Sequence, residues 1–514
     1  MAVIGEYLPL AAVAIPALAV PLVYAVSARA NLREAVTLLA SLVLLATVWL
    51  MVQAPGTPAT SLGSVAGVEF VLRADAAGLL FALLAATLWL VTSVYSIGYM
   101  RTLREESQTR YFAAFAASIA ATMGVALSAN LFTLFVFYEL LTLATYPLVV
   151  HAGSETARNA GRTYVAYTLG GGVAVLAGVV LVAVLTGTVA FTPGGIAALA
   201  TADPTLARAA FALLVVGFGV KTAFVPLHSW LPAAMVAPTP VSGLLHAVAV
   251  VKSGVFALAR TVLYTFGPET TWDLGVGLPL AVAAAATMLV AGVVGIRQDN
   301  LKRGLAYSTI GQLSYIALGL GLATPLAVFG ALLHVVAHAF MKITLFFAAG
   351  LVYAETGEKY VSDLAGIGRR LPLTMTAFAV AAAGLVGFPL VAGFVSKFHL
   401  VLGAAAVSPV VVAVYLVAGV LKLLYFWPVV YVAFFGERGD DGSASRHAFA
   451  PPHATDGGYV TPTRWERRSL GAETTPFLLV PVLVTAGGAV LLGVVPTALP
   501  FWELAETVVW EVFG

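Results

Sequence analysis

The chain has 514 residues, 61% hydrophobic and 10% charged, with a formal net charge of +2. A soluble domain carries about 25% charged residues, so this composition excludes a soluble enzyme or a nucleic-acid-binding module and places most of the mass in lipid. With no cysteine, the chain itself offers no disulfide, cysteine-ligated iron–sulfur cluster or c-type haem attachment. It also lacks a glycine-rich phosphate loop and an H-E-x-x-H stretch, so no cofactor is expected.

About 20 apolar residues cross a bilayer as a helix. Hydrophobic runs, read against Pro, Gly and charge breaks, predict an all-α polytopic membrane protein with fourteen spans. They lie near 4–26, 34–53, 75–98, 111–127, 129–150, 162–187, 206–230, 241–264, 274–296, 305–322, 326–352, 372–402, 408–435 and 475–498. The first span is expected to follow the N-terminus directly, without the basic region and A-x-A site of a cleaved leader.

Alternate loops, beginning with 27–33, define one face, here side A; the opposite face is side B. Side A collects 18 Lys and Arg, side B and its helix ends three, and five lysines fall inside spans. The positive-inside rule then puts side A in the cytoplasm and both termini outside. Spans 4–8 (111–264) and 9–13 (265–435) form two blocks of five. An odd number of helices inverts the second block, as in inverted-repeat transporters. The division expected is 1–110 for three N-terminal spans, the two repeats, a polar loop at 436–474, and span 14 with a C-terminal segment at 475–514.

Charged groups inside spans carry the functional signal, because each costs roughly 2.5–3.5 kcal/mol or more at the bilayer centre. In chain order the first is Glu139, in Phe-Val-Phe-Tyr-Glu-Leu-Leu-Thr-Leu of span 5. Lys221 follows in span 7, before Pro226 and His228. Desolvation favours the neutral amine, so such a lysine can load and release a proton. Pairing with a buried carboxylate favours the ammonium, so separating Glu139 from Lys221 would act as a switch.

His246 and Lys252 share span 8, six residues apart. That spacing is not one face of a straight helix, so a water chain or a local distortion must connect them. In span 11, His334, His338 and Lys342 are spaced by four and line one face, as a proton relay would. Two histidines at that spacing also suit a metal, but no third ligand stands nearby, so no metal site is assigned. Lys397 and His399 flank the break of span 12 made by Gly387, Pro389 and Gly393. Lys422 in span 13 and His228, after Pro226, are further candidates, Lys422 balanced against a structural ion-pair role. Glu503, Glu506 and Glu511 read as a surface segment without chemistry.

Three stretches then stand out: Asn-Leu-Phe-Thr-Leu-Phe-Val-Phe-Tyr-Glu-Leu-Leu-Thr-Leu, Pro-Leu-His-Ser-Trp-Leu-Pro-Ala-Ala-Met-Val-Ala-Pro-Thr-Pro-Val-Ser and Leu-Leu-His-Ala-Val-Ala-Val-Val-Lys. They resemble the antiporter-like subunits of Mrp-type sodium/proton antiporters and respiratory complex I, nearest to the D-type subunits of the Mrp group. The resemblance covers nearly the whole chain. It implies a fourteen-helix core with two inverted five-helix repeats and broken seventh and twelfth helices. It also implies a proton path through Glu139, Lys221, Lys252 and Lys397, with neighbouring membrane subunits as partners and protons and sodium as cargo. Two other readings share this chemistry. One is the proton-pumping membrane subunit of a quinone oxidoreductase or membrane hydrogenase; the other is the membrane half of an inorganic-carbon uptake system. No sodium-binding cluster of Asp, Asn and carbonyl groups is evident.

Overall fold

The computed structural model describes residues 5–437 except 66, together with 465–466, 468–469 and 471–514. Most of the 436–474 loop, including Arg438, Arg446, Arg464 and Arg467, lies outside the described residues. Among them, thirteen helices are long and apolar enough to cross a bilayer: Leu8–Ala25, Ala30–Gln53, Ala76–Thr102, Gln108–Leu127, Leu131–Val149, Glu155–Thr186, Pro204–Thr222, Thr239–Phe266, Gly277–Ile296, Leu301–Leu322, Pro325–Thr356, Pro409–Phe435 and Pro476–Val494. Two shorter apolar helices, Pro372–Val386 and Ala392–Ala405, together occupy the place expected for span 12. The fourteen predicted spans therefore all have a counterpart, numbered 1–14 below.

Local chemistry sets the boundaries. Asn130, Ser154, Asp203, Asn300, Thr324 and Ser408 each accept a backbone N–H at the start of spans 5, 6, 7, 10, 11 and 13. An unsatisfied amide is costly near lipid, so such caps fix where a span begins. Extended Ser128 separates spans 4 and 5.

Three spans are irregular. Span 7 stops at Thr222, with Ala223 left-handed (φ 62°) and a cis Val225–Pro226 bond. Trp230 Nε1 donates to Val220 O at 2.8 Å and covers a carbonyl beside that break. Span 12 stops at Val386, with Gly387 at φ 113°, and resumes at Ala392. Span 8 stays continuous but widens into π turns at Leu244–Val248 and Thr261–Phe266.

Helices next to one another in the chain pack in pairs. Spans 4 and 5, 6 and 7, and 7 and 8 run against one another, as do spans 9 and 10, 11 and 12, and 12 and 13. The most apolar stretches of spans 8 and 11 are wholly buried, so these two helices form the protein's centre. Close approach of spans 6 and 7 depends on glycine. A Cβ on Gly217 would lie 2.5 Å from Val175 Cγ2 and 2.6 Å from Gly171 O.

Two elements were not expected. An antiparallel hairpin, Ala59–Val65 with Val68–Arg73, joins spans 2 and 3. The C-terminal segment is an amphipathic helix, Phe501–Phe513. It buries Phe501, Ala505, Val508 and Val512 and packs on spans 3 and 11.

On side A a cavity of about 850 Å³ opens among Tyr99, Glu105, His151, Thr239, Lys302 and Tyr353. Lys302, expected in a side A loop, donates to Ala237 O at 2.6 Å across this mouth. Burial raises the Glu105 carboxyl above its ordinary range. Burial, aided by Arg110, pushes the His151 imidazole down to about 4.

Gly217→Leu should cost about 1–3 kcal/mol through overpacking. It should lower the folded yield and Tm seen in detergent by size-exclusion and thermal melts; unchanged values would mean that spans 6 and 7 do not need the close approach. His151 is held neutral in the fold and takes up a proton more readily when unfolded, so its contribution to stability falls as pH drops from 6.5 towards 4. Tm should decline across that window, and less steeply in His151→Gln. Equal slopes would show that other groups set the acid sensitivity.

Candidate functional site

Lys221 ends the first segment of span 7 and is fully buried. Its Nζ donates to Tyr138 O and lies 3.4 Å from the centroid of the Tyr138 ring. Glu139, the next residue, is only half-buried rather than enclosed as expected. The reason is its place on the flank of span 5, where Leu140 and Leu143 are exposed. Among the described residues no ion pair within 4 Å joins Glu139 to Lys221. Glu139 Oε1 has no hydrogen-bond partner, although the two groups act on one another electrostatically. The carboxylate packs on Gly172, where a Cβ would come within 2.5 Å of Oε1. The arrangement is thus a separated pair, with the ammonium on a carbonyl and a ring face.

Span 8 supplies the distortion that six-residue spacing required. The π turn spans His246, and Ala249 N bonds to Leu244 O at 2.9 Å. Lys252 then points into the centre, where its Nζ meets His338 Nδ1 at 2.7 Å. One proton serves this contact in either form: the ammonium donates to a neutral imidazole, or an imidazolium donates to a neutral amine. The turn does not bring His246 into the row. Neither of its ring nitrogens has a hydrogen-bond partner, and its ring lies against Phe346 at 4.7 Å.

One turn along span 11, the His334 ring is 6.3 Å from that of His338. His334 Nε2 meets Gln312 Oε1 at 2.8 Å, and Gln312 Nε2 donates to Leu385 O at 2.8 Å. That assignment of the amide requires an N–H at His334 Nε2. His334 Nδ1 meets Ser396 Oγ at 2.8 Å. Two protonation states are therefore satisfied. With neutral His334 the serine hydroxyl donates to Nδ1. With imidazolium it accepts, and turns its own proton to Ala392 O or Gly393 O, both 3.3 Å away.

Leu385 O also accepts from Lys397 Nζ, which donates to Val386 O at 3.1 Å as well. These carbonyls are free because span 12 stops there. Lys397 and His399 do not flank the break; both follow it, in Ala392–Ala405. His399 turns elsewhere, with Nδ1 at 2.8 Å from Val395 O and its ring between Phe329 and Trp502. The row thus runs Lys252, His338, His334, Gln312, Lys397, with two open steps: one between the two histidines, and one between Gln312 and Lys397, which both donate to Leu385 O.

The other candidates lie beside it. Lys342 donates to Leu305 O at 3.3 Å, not to a histidine. Lys422 is buried, with no hydrogen-bond partner, 3.5 Å from the Tyr315 ring centroid. His228 sits half-buried past the break of span 7, its ring 6.1 Å from Tyr307. Among the described residues no group of three His, Asp or Glu is placed to hold a metal ion.

Sequence reasoning missed Gln312, Ser396 and Tyr315, whose only signal is polarity within apolar spans 10 and 12. It also counted Arg260 with Arg73 and Arg208 as the three basic residues of side B and its helix ends. Arg260 is fully buried, bidentate to Asp75 at 2.8 and 2.5 Å, with its guanidinium 4.6–5.0 Å from the rings of Tyr264, Phe191 and Phe256. Asp75 also caps span 3, so this pair ties spans 3 and 8 together.

Residues 128–422, which include Glu139 and all five buried lysines, match the family described as NADH:quinone oxidoreductase/Mrp antiporter, transmembrane. The chain is 35% identical over 430 residues to NADH-quinone oxidoreductase subunit N of Desulforudis audaxviator, covering 83% of this chain and 82% of that one. It is 33% identical to the A/B subunit of a probable K(+)/H(+) antiporter of Rhizobium meliloti, over 81% of this chain but only 40% of that longer one. A chain in the structure of the Mrp complex from Dietzia sp. DQ12-45-1b superposes with TM-score 0.83 at 25% identity, over 99% and 98% of the two chains. A chain of the membrane-bound sulfane sulfur reductase, an archaeal respiratory membrane complex, gives 0.77 at 25% identity. Both solved neighbours are multi-subunit membrane assemblies. The chain belongs to the NADH:quinone oxidoreductase/Mrp antiporter family, as a multi-pass subunit that works beside other membrane subunits.

Proposed function

We propose that this chain is the proton-translocating subunit of a multi-subunit sodium/proton antiporter, with side A in the cytoplasm. The observation that carries it is the buried row from Lys252 through His338 and His334, by way of Gln312 and the Leu385 carbonyl, to Lys397, in which the Lys252–His338 and His334–Ser396 contacts each accommodate a change of protonation. Protons reach Lys252 from the side A mouth, past Thr239 and His246. They pass along the histidines, and Lys397 releases them towards side B. Lys221 exchanges its proton as its separation from Glu139 changes. The exposed flank around Glu139 is where a neighbouring subunit completes its burial, so movement there biases Lys221. The division into 1–110, two repeats at 111–264 and 265–435, a loop at 436–474 and a tail at 475–514 fits this scheme, because each repeat contributes one part of the row.

A second reading is favoured by one observation. Identity to a quinone oxidoreductase subunit N extends over most of both chains, whereas the antiporter relative is much longer. In that case the same path is driven by electron transfer in other chains. Gentle extraction followed by mass spectrometry of co-purifying proteins decides: small multi-pass partners support the antiporter, and iron–sulfur or flavin subunits support the redox pump.

Glu139→Ala and Lys221→Ala should each lower dye-monitored proton transport in everted vesicles by at least about tenfold, the loss expected when an electrostatic partner worth ~1.4 kcal/mol or more is removed. Normal transport with normal complex assembly would sink the path. Ser396→Ala removes the hydroxyl that suits both forms of His334. An unmade buried hydrogen bond costs about 1–3 kcal/mol, so transport should fall roughly tenfold, while Ser396→Thr keeps most of it. Equal effects of the two substitutions would assign Ser396 to packing.

A further inference from the structure

Lys422 is one of three buried lysines that the row leaves out, and unlike Lys221 and Lys342 it has no hydrogen-bond partner. Its stem lies on span 10, where a Cβ on Gly311 would be 3.7 Å from Lys422 Cε. One turn on, the Tyr315 ring centroid is 3.5 Å from Lys422 Nζ and 4.7 Å from Lys397 Nζ. Two ammonium-forming groups from different spans therefore share one aromatic ring. That ring is held rigidly. Tyr315 OH donates to Tyr415 O at 3.0 Å, and Tyr415 OH donates back to Tyr315 O at 3.2 Å. The Tyr315 hydroxyl is thereby tied off, and what it presents to both lysines is its π system.

Among the described residues none gives Lys422 a fixed counter-charge. Lys397 of span 12 and Lys342 of span 11 are the charges that act on it, both of its own sign. Span 10 offers Tyr315, and its own helix Tyr415 and Tyr425. Lys422 Nζ has no hydrogen-bond acceptor, while Lys397 has two carbonyls. A buried ammonium with neither acceptor nor counter-ion is unfavourable, yet a desolvated ring face is worth ~2 kcal/mol to a cation. Such a group suits transient occupation. Like charges so close on one ring disfavour double occupation.

We propose that Lys422 is a second proton-carrying amine of the path, sharing the Tyr315 ring with Lys397 so that one ammonium at a time is held there. The step moves one proton. An N–H bond breaks on the Lys397 ammonium and one forms on the neutral Lys422 amine, through an intervening water molecule, with total charge unchanged. It adds a branch at Lys397 outside the histidine row and rests on the path proposed above.

The test compares Lys422→Met, Lys422→Arg and Lys422→His in the assembled complex in everted vesicles, with Lys397→Ala alongside and assembly checked by native gel. Methionine cannot hold a proton and arginine cannot release one. Both should lower proton transport at least about tenfold, the factor equivalent to 1.36 kcal/mol. Histidine should recover a measurable part of it, with the pH profile displaced to acid. Normal transport in Lys422→Met would overturn the proposal in favour of packing. Normal transport in Lys422→Arg would overturn it in favour of a fixed cation. A histidine variant no better than methionine at any pH also overturns it, and covers the case in which substitution merely damages the fold. If Lys397→Ala transports normally, the underlying path fails and the shared-ring step with it; if only Lys397→Ala loses transport, the path stands and this step alone falls.

Discussion

Five ammonium-forming groups share a low-dielectric interior in which only Lys221 has a carboxylate for a charged neighbour. Everything else in the centre of this protein follows from that shortage. The lysines are met by other acceptors: the Tyr138 carbonyl for Lys221, an imidazole nitrogen for Lys252, the end of a broken helix for Lys397, and an aromatic face for Lys422. None of these carries a full negative charge. Each holds an ammonium less firmly than an ion pair does, and each tolerates the neutral amine as well. An interior lined with carboxylates would fix protons in place. This one leaves them negotiable.

Helix irregularity is how the backbone takes part. A continuous α-helix spends its carbonyls internally. The stop at Val386 frees Leu385 O and Val386 O for Lys397, and the stop at Thr222 lets Lys221 reach across to span 5. In span 8 a π turn changes which face Lys252 presents relative to His246. Around these weak points the frame is stiff. Arg260 is locked to Asp75 and ringed by aromatics, and the Gly171–Gly217 crossing brings spans 6 and 7 into backbone contact. Breaking a buried pair such as Arg260–Asp75 costs about 3–5 kcal/mol, so spans 3 and 8 are set as one unit.

Span positions were legible because hydrophobic length is a strong signal, and side chains such as Asn130 and Asn300 mark where helices start. Glu139, Lys221, Lys252, His334, His338 and Lys397 were legible for the same reason: charge or imidazole inside an apolar run. Their partners were not. Gln312 and Ser396 differ from many helix-packing polar residues only by which histidine they face, and that depends on how spans 10, 11 and 12 cross. Glu139 was read as enclosed, since sequence gives depth along a helix but not which side faces the centre. Arg260 was counted with the charges of side B and its helix ends because its counter-ion lies 185 residues away. The hairpin between spans 2 and 3 escaped notice because seven mostly small residues carry little strand signal.

The Ser396 hydroxyl has a kinetic meaning. Its two settings differ by rotation of one O–H bond, with acceptors already in place for each. Side-chain rotations take picoseconds to nanoseconds, and neither helix has to move for His334 to change its charge. Collective helix motions take microseconds to milliseconds. On the proposed path, the change of charge at His334 is therefore a fast local step. On that path the slow step lies where heavy atoms shift, and the half-buried Glu139, beside the exposed Leu140 and Leu143, is where the proposed contact with another subunit would set the pace.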